Sequence, residues 1–335
     1  MANTILVLRF SALGDVALTV PVMKLVAQAN PDTNFVVICD QKCADLFQGI
    51  ERISFHGFDL KKEYKGLFGV IKIFRLIKRQ YEFEGLADLH AVLRTHILRV
   101  LFFFMRKKVA MIYKGRIEKA TITRKENKIF RPLPHTTERY LDVFEKLGLH
   151  VNRQTLNENL ITVKNDVSRA VKKIGFAPFA KHNEKMYPLD EMLKVIAHFD
   201  RTGIELYFFG GGVVEKHFIK EWNKKFKHAI SLPGNASIKG EFNVMSSLDL
   251  MVTMDSANMH LASLVDVPVL SIWGPTHPFT GFYGYRQHPS LAIQETLDCR
   301  PCSVFGNKNC WRGDHACMKN IAVEKIISRV EEMIT

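Results

Sequence analysis

The 335-residue chain has no long hydrophobic run: the longest, Val100 to Met105, is six residues flanked by Arg99 and by Arg106 to Lys108. A helix needs about 20 apolar residues to cross a bilayer, so no segment is expected to span one. The start, MANTILVLRFSALGDV, is apolar only from Ile5 to Leu8 before Arg9 interrupts it, too short for the core of a secretion signal. These absences predict a cytoplasmic chain, with any membrane contact peripheral, electrostatic and at the inner face. With 12 Pro and 20 Gly there is no room for a large disordered tract, and no solenoid-period repeat or low-complexity stretch is present. No recognised nucleic-acid-binding motif occurs, so nucleic acid is not an expected partner. Acidic residues are in short supply: 34 Asp and Glu against 47 Lys and Arg leave a formal charge of +13, a field that attracts anions.

What is present is the composition of a folded protein, 47% hydrophobic and 24% charged, in a chain too long for one ordinary core. Two domains are the expectation. Much of the positive excess lies between Lys61 and Arg139, interleaved with aromatic and aliphatic residues. It reads as a surface for phosphorylated lipid or nucleic acid, or as a set of solvated helix faces.

The apolar run at 4–8 ends in SALGD and is followed by helical spacing from Val16 to Ala29. Strand then helix recurs at 34–40 with Gln41 to Gln48, and at 84–90 with a long apolar-basic helix. A second series has strands at Val171 to Phe176, 204–211, 249–256 and 267–275, with helices at Leu189 to Thr202, Val214 to Phe226 and Ile238 to Ser247. Such alternation predicts α/β architecture with parallel sheets covered by helices. No Gly, Ser or Pro linker divides the halves, and the polar stretch near 150–170 places the boundary. The expected division is 1–165 and 166–320, with a C-terminal helix in 321–335 whose packing the sequence leaves open.

In open α/β sheets ligands bind beyond the carboxyl ends of the strands. After the first strand, RFSALGDV offers the Ser11 hydroxyl, a close backbone turn at Gly14, and Asp15 where loop becomes helix. Asp15 can take a proton from an attacking hydroxyl, or cap the helix; the local pattern alone favours the cap. In MDSANMH, Asp255, Ser256 and Ala257 follow a strand, with His260 one turn on, a start suited to a diphosphate or merely to capping. Gly211, within the glycine triplet of FFGGGVVEK, suits close backbone approach. Lys185 precedes a Pro-led helix and is either a solvated lysine or a counter-charge for a diphosphate. WGPTHP presents Thr276 at a strand end, as a nucleotide-facing loop or an ordinary turn. Cys299, Cys302, Cys310 and Cys317 are spaced closely enough for tetrahedral zinc. The outer intervals are unlike paired zinc knuckles, so buried thiols and no metal are the favoured expectation.

The segments LVLRFSALGDVALTVPVMKLV, DLHAVLRT, MDSANMHLASLVDVPVLSIWGPTHP and CRPCSVFGNKNCWRGDHACM, in this order and spacing, resemble the ADP-heptose:lipopolysaccharide heptosyltransferase family, glycosyltransferase family 9. The resemblance runs roughly over residues 3 to 322. It implies the GT-B fold, two Rossmann-like domains with parallel sheets facing across a cleft, the first binding acceptor and the second the nucleotide-sugar. It further implies inverting, metal-independent transfer of a heptose from an ADP-sugar to the inner core of lipopolysaccharide or lipooligosaccharide, an anionic lipid-linked acceptor, with no cofactor. Asp15 becomes the expected base. Lys185, Asp255, Ser256, Ala257, His260, Gly211 and Thr276 become the donor-binding candidates, and Arg9, Ser11, Gly14, His90 and Arg94 those for the acceptor. A GT-B transferase using another nucleotide sugar for a different surface glycan is the alternative.

Overall fold

A computed structural model describes residues 3–157, 161, 172–232 and 238–334. Short apolar runs become strands, and the helices between them cover the sheet faces, so consecutive strands lie parallel. In the first sheet these are β1 (Asn3–Leu8), β2 (Thr33–Asp40), β3 (Ile53–Phe58), β4 (Gly85–Asp88) and β5 (Lys108–Met111), ordered β3-β2-β1-β4-β5 with every pair parallel. The helices are α1 (Leu13–Ala17), α2 (Thr19–Ala29), α3 (Gly66–Gln80) and α4 (Leu93–Phe104), then α5 (Arg116–Thr123), α6 (Thr136–Lys146) and α7 (Arg153–Asn157). The second sheet comprises β6 (Lys173–Ala177), β7 (Glu205–Phe208), β8 (Ala229–Ile230), β9 (Leu250–Met254), β10 (Val269–Trp273) and β11 (Ala292–Gln294), ordered β11-β10-β9-β6-β7-β8 and again parallel. Its helices are α8 (Leu189–Arg201), α9 (Val213–Lys225), α10 (Ile238–Met245), α11 (Ala257–Leu264), α12 (Ala316–Lys319) and α13 (Val323–Ile334).

Local chemistry explains where elements depart from their sequence spacing. The first helix starts at Leu13 rather than Val16, breaks at Leu18 and restarts as α2. Pro21 has no N–H to offer Ala17, so the helix is re-initiated with proline in its first turn, where the missing donor costs little. Gln41–Phe47 winds as a 3-10 helix, begun by the Asp40 carboxylate accepting from the Lys42 N–H at 3.1 Å. Val171 lies outside the described residues.

The chain forms two compact units that are not two consecutive stretches. Met1–Gly115 and His135–Glu158 make the first; Arg116–Pro134 and Asn159–Thr335 make the second. The early segment is tied into the second unit by several contacts. The Leu133 N–H donates to the Phe279 carbonyl, Lys128 Nζ donates to the carbonyls of Asp298 and Pro301, and Lys119 Nζ stands 4.1 Å over the Phe282 ring. Basic residues from Arg116 to Arg131 therefore belong with the second sheet, not with an acceptor domain ending at 165.

In the first unit Leu6, Leu8, Ile38, Leu86, Leu98 and Phe102 form part of a continuous core beneath α3 and α4. In the second, the wholly buried β9 and β10 pack with α8 and α13. Apolar residues recurring at 323, 326, 327, 330 and 333 give α13 one buried stripe, which lies against α8. Ile326→Ala is expected to cost about 2–5 kcal/mol of stability; an unchanged urea midpoint for the variant would show that α13 is no part of this core.

Candidate active site

Both sheets reverse their strand order once. In the first, the chain runs outward from β1 through β2 to β3, then returns to the other side of β1 for β4 and β5. In the second it runs from β6 to β8, then returns beside β6 for β9 to β11. Connections leaving neighbouring strands toward opposite faces open a crevice at the carboxyl ends of β1 and β4, and another at those of β6 and β9. The residues singled out from sequence fall largely at these two positions.

Leu8 pairs in register with Asp88, so the loops carrying Asp15 and His90 leave adjacent strands. Asp15 is the third residue of α1, whose N-cap is Ala12, and its carboxylate is not the cap. Its Oδ2 is instead 2.6 Å from Arg9 Nη2, with 26% of the Asp15 side chain exposed. Arg9 is buried, and its Nη1 donates to the Leu89 carbonyl at 2.7 Å. Burial works against this cation, but Tyr140 and Asp15 more than offset it and leave its pKa above the ordinary value. Tyr140, also buried, directs its hydroxyl at the Asp15 carbonyl from 3.3 Å. Ser11 is exposed and Gly14 lies in the first turn of α1, its carbonyl accepting from the Leu18 N–H.

Asp88 fixes the other wall. One carboxylate oxygen accepts from the N–H groups of His90 and Ala91, at 2.9 and 2.8 Å, and the other lies 2.9 Å from Arg99 Nε. The His90 ring packs edge-on to the Phe10 ring, and Arg94 stands 5.8 Å over the Phe10 ring. Burial, followed by the charges of Arg9 and Lys114, pushes His90 down to about 3, so its imidazole is neutral at physiological pH.

In the second unit, Ala177 at the end of β6 is in register with Thr253 of β9, whose Oγ1 donates to the Ala177 carbonyl and lies 3.2 Å from Ser256 Oγ. Ser256 is the N-cap of α11, Ala257 its first residue, and His260 is buried one turn on. Lys185, nearly buried, places Nζ 3.0 Å from Asp255 Oδ2. The crevice thus holds an ion pair directly before a helix start. The amides of the glycine triplet are already engaged: the N–H groups of Gly211 and Gly212 both donate to Glu215 Oε2, at 2.7 and 2.8 Å. A Cβ on Gly211 would meet nothing within 4 Å, so close backbone approach does not explain that glycine.

Three residues not singled out in the sequence, Arg300, Ser303 and Gly306, hold this part of the second unit. The buried Arg300 donates to the carbonyls of Trp273, Gly274, Thr276 and Glu295 and to Gln294 Oε1, clamping the loop after β10. The N–H groups of Cys302 and Ser303 bind the Pro275 carbonyl, and Ser303 Oγ accepts from the Gly306 N–H. Gly306, at φ +71°, lies against the stem of Lys185, where an added Cβ would be 2.2 Å from Cγ. Arg300 stands inside the cysteine spacing that drew the eye to metal ligation. Cys299, Cys302, Cys310 and Cys317 do line one cavity, of about 10 Å³, together with Arg300 and Arg312. All four are free cysteines, burial raises Cys317 to about 11, and among the described residues no three His, Cys, Asp or Glu side chains are arranged to hold a metal ion. Thr276 is buried, with no hydrogen-bond partner at Oγ1. Beside its loop, a cavity of about 480 Å³ is lined by Lys125, Lys128, Phe130, His277, Glu295 and Asp298, all of the second unit.

Two doubly wound parallel sheets, each with an ion pair at its switch point, define an α/β protein of two Rossmann-like units. The family model for glycosyltransferase family 9 (heptosyltransferase) matches residues 73–309, and the chain belongs to that family. A lipooligosaccharide heptosyltransferase 2 of Campylobacter jejuni is 28% identical over 172 residues, 49% of this chain and 52% of the relative; the match thus spans about half of that protein. A glycosyl transferase family 9 structure from Veillonella parvula superposes with a TM-score of 0.72 at 22% identity, over 99% of this chain and 97% of that one. The E. coli heptosyltransferase WaaC, solved with ADP, does so with a TM-score of 0.67 at 18% identity, over 98% and 99%. At these identities the superpositions establish the fold. Among the described residues no helix is long and apolar enough to cross a membrane.

His277 gives a pH test of the clamped loop. Its Nδ1 accepts from the Phe279 N–H at 3.1 Å, and burial, then Arg300, lowers its pKa to about 4. The unfolded chain binds this proton from about pH 6.5 downward and the folded one only near 4, so the contribution to stability is intact above 6.5 and lost as pH falls. His277→Asn keeps an acceptor at the cap and removes the titration. Between pH 7 and 4 it is expected to lose less stability than the parent, by on the order of 2 kcal/mol; parallel curves in urea titrations would contradict the assignment.

Proposed function

We propose that the protein transfers a heptose from an ADP-sugar to an anionic, lipid-linked acceptor, the inner core of lipopolysaccharide or lipooligosaccharide, in a single inverting displacement. The observations that carry this are made on each unit separately: a carboxylate oriented by a buried arginine at the switch point of the first, and a lysine beside a helix start at the switch point of the second. Family membership, the lipooligosaccharide-specific name of the Campylobacter relative and the ADP held by the E. coli structure support the substrates.

In this mechanism Asp15 takes the proton of the acceptor hydroxyl as its oxygen attacks the anomeric carbon from the face opposite the leaving group. The new glycosidic bond forms as the bond to the diphosphate breaks, and ADP departs with the electron pair. Lys185 and the first N–H groups of α11 meet the charge on the departing phosphates, a role a divalent cation fills in other transferases. Arg9, buried and committed to Asp15 and to the Leu89 carbonyl, orients the base and is not itself an acceptor ligand. His90 and Arg94, on the facing wall, remain acceptor contacts. Asp255 sets the strength of donor binding: it shares Lys185 with the incoming diphosphate, so the lysine must serve two anions.

Asp15→Asn is expected to lower kcat by roughly 10²-fold or more while ADP affinity, measured by calorimetry, stays within about twofold. Substantial residual transfer would remove Asp15 from the role of base. Calorimetry with ADP, UDP, GDP and CMP should show preference for ADP, weakened about tenfold or more by Lys185→Ala because the variant also leaves Asp255 facing the phosphates unpaired. Preference for another nucleotide would move the protein to a different donor sugar on the same fold. Gly306→Ala, which drives a Cβ into the Lys185 stem, should weaken ADP in the same direction without removing any charge; unchanged affinity would mean that Lys185 is not held by that loop.

A further inference from the structure

Two neighbouring helices of the first unit carry apolar surface on their solvent side. Helix α4 buries Thr95, Leu98 and Phe102 beneath it, as a surface helix should. Its opposite side is apolar as well: Leu93 is 78% exposed, Phe103 67% and Phe104 78%, with Val100 also exposed. Positions 93, 100 and 104 fall on one stripe along the helix, over about 16 Å, where charged residues ordinarily stand. Helix α3 packs beside α4 and adds Phe68, 82% exposed, with Leu67 in its first turn.

The charge on these two helices has one sign. Lys72, Arg75, Lys78 and Arg79 are exposed on α3, and Arg106 and Lys108 follow α4. No Asp or Glu occurs between Gly66 and Tyr81, nor between Leu89 and Ile117. A second copy of the chain seated on this face would bring like charges together. Helices whose outer sides are apolar, aromatic and basic, with no carboxylate of their own, are complementary to the boundary of an anionic bilayer, where rings enter the acyl edge and cations lie among phosphates.

We propose that α3 and α4 dock this protein onto an anionic lipid bilayer. The surface itself stands on exposure and charge; that it brings the first unit to its acceptor rests on the lipid-linked acceptor proposed above. Docking lowers the search for such an acceptor from three dimensions to two and needs no spanning segment.

The test is co-sedimentation of the full chain with vesicles of phosphatidylcholine alone and with vesicles containing about a third phosphatidylglycerol, at low and raised salt. The parent protein should pellet with the anionic vesicles and be released by salt. The triple variant Leu93→Ser, Phe103→Ser, Phe104→Ser should bind them roughly tenfold more weakly or less, while Val213→Ser with Val214→Ser, exposed apolar residues of the second unit, should bind like the parent. Circular dichroism and an unchanged ADP affinity check that the triple variant is folded. No binding by the parent, equal binding to both vesicle types, undiminished binding by the triple variant, or a self-association that the triple variant abolishes would each overturn the proposal. ADP calorimetry on the parent separates the two ideas: absence of ADP binding sinks the donor assignment and leaves the vesicle result standing.

Discussion

A parallel sheet that is extended first on one side of its opening strand and then on the other must send consecutive connections over opposite faces, and the gap between them falls at the strands' carboxyl ends. This chain meets that constraint twice, at β1 and β4 and again at β6 and β9. Two ion pairs, Arg9 with Asp15 and Lys185 with Asp255, stand at those gaps. Strands buried on both faces leave polar groups no place but the loops, and the loops flanking each reversal are the ones brought side by side. The placement of Asp15 near His90, and of Lys185 near Asp255, thus follows from topology before any pairing of side chains is considered.

The two gaps are charged differently, and the difference suits different ligands. At the first, a buried guanidinium is spent on holding a partly exposed carboxylate, which leaves a basic oxygen oriented on rigid scaffold. At the second, the ammonium and the carboxylate are both nearly buried and stand before a helix N-terminus, where an entering polyanion finds positive charge already compensated by Asp255. Compensation of that kind weakens ground-state binding of an anion while leaving the lysine free to strengthen its grip as charge develops on a leaving phosphate.

The strands and the two switch-point loops were legible because their signals are local: β-branched runs, a small-residue loop, an acidic residue at a helix start. Other features depend on partners distant in sequence. Arg116–Pro134 follows β5 without any break in composition, and only its contacts near Phe279, Phe282 and Asp298 assign it to the second unit. A glycine triplet after a strand suits close backbone approach, and nothing in its local pattern shows that Glu215, four residues beyond Gly211, accepts from the Gly211 and Gly212 amides. Strands β5 and β11, four and three residues long, are too short for alternation to register. Arg300 carries no local signal among its flanking cysteines, because its role comes from five acceptors contributed by residues 273, 274, 276, 294 and 295.

That clamp also links parts of the second unit that would otherwise vary independently. A buried arginine with its donors satisfied by carbonyls cannot shift without leaving charge and carbonyls unpaired, so the turn after β10 and the segment from Arg300 to Gly306 behave as one piece. Gly306 is the end of that piece, and it touches Lys185. A lysine has a long, rotamer-rich stem, and confining it against a glycine backbone removes in advance part of the entropy it would otherwise lose on gripping a phosphate. The loop around the cysteines therefore acts on the proposed donor site through packing, by fixing where the Lys185 ammonium can stand, and this role requires no metal ligation by those cysteines.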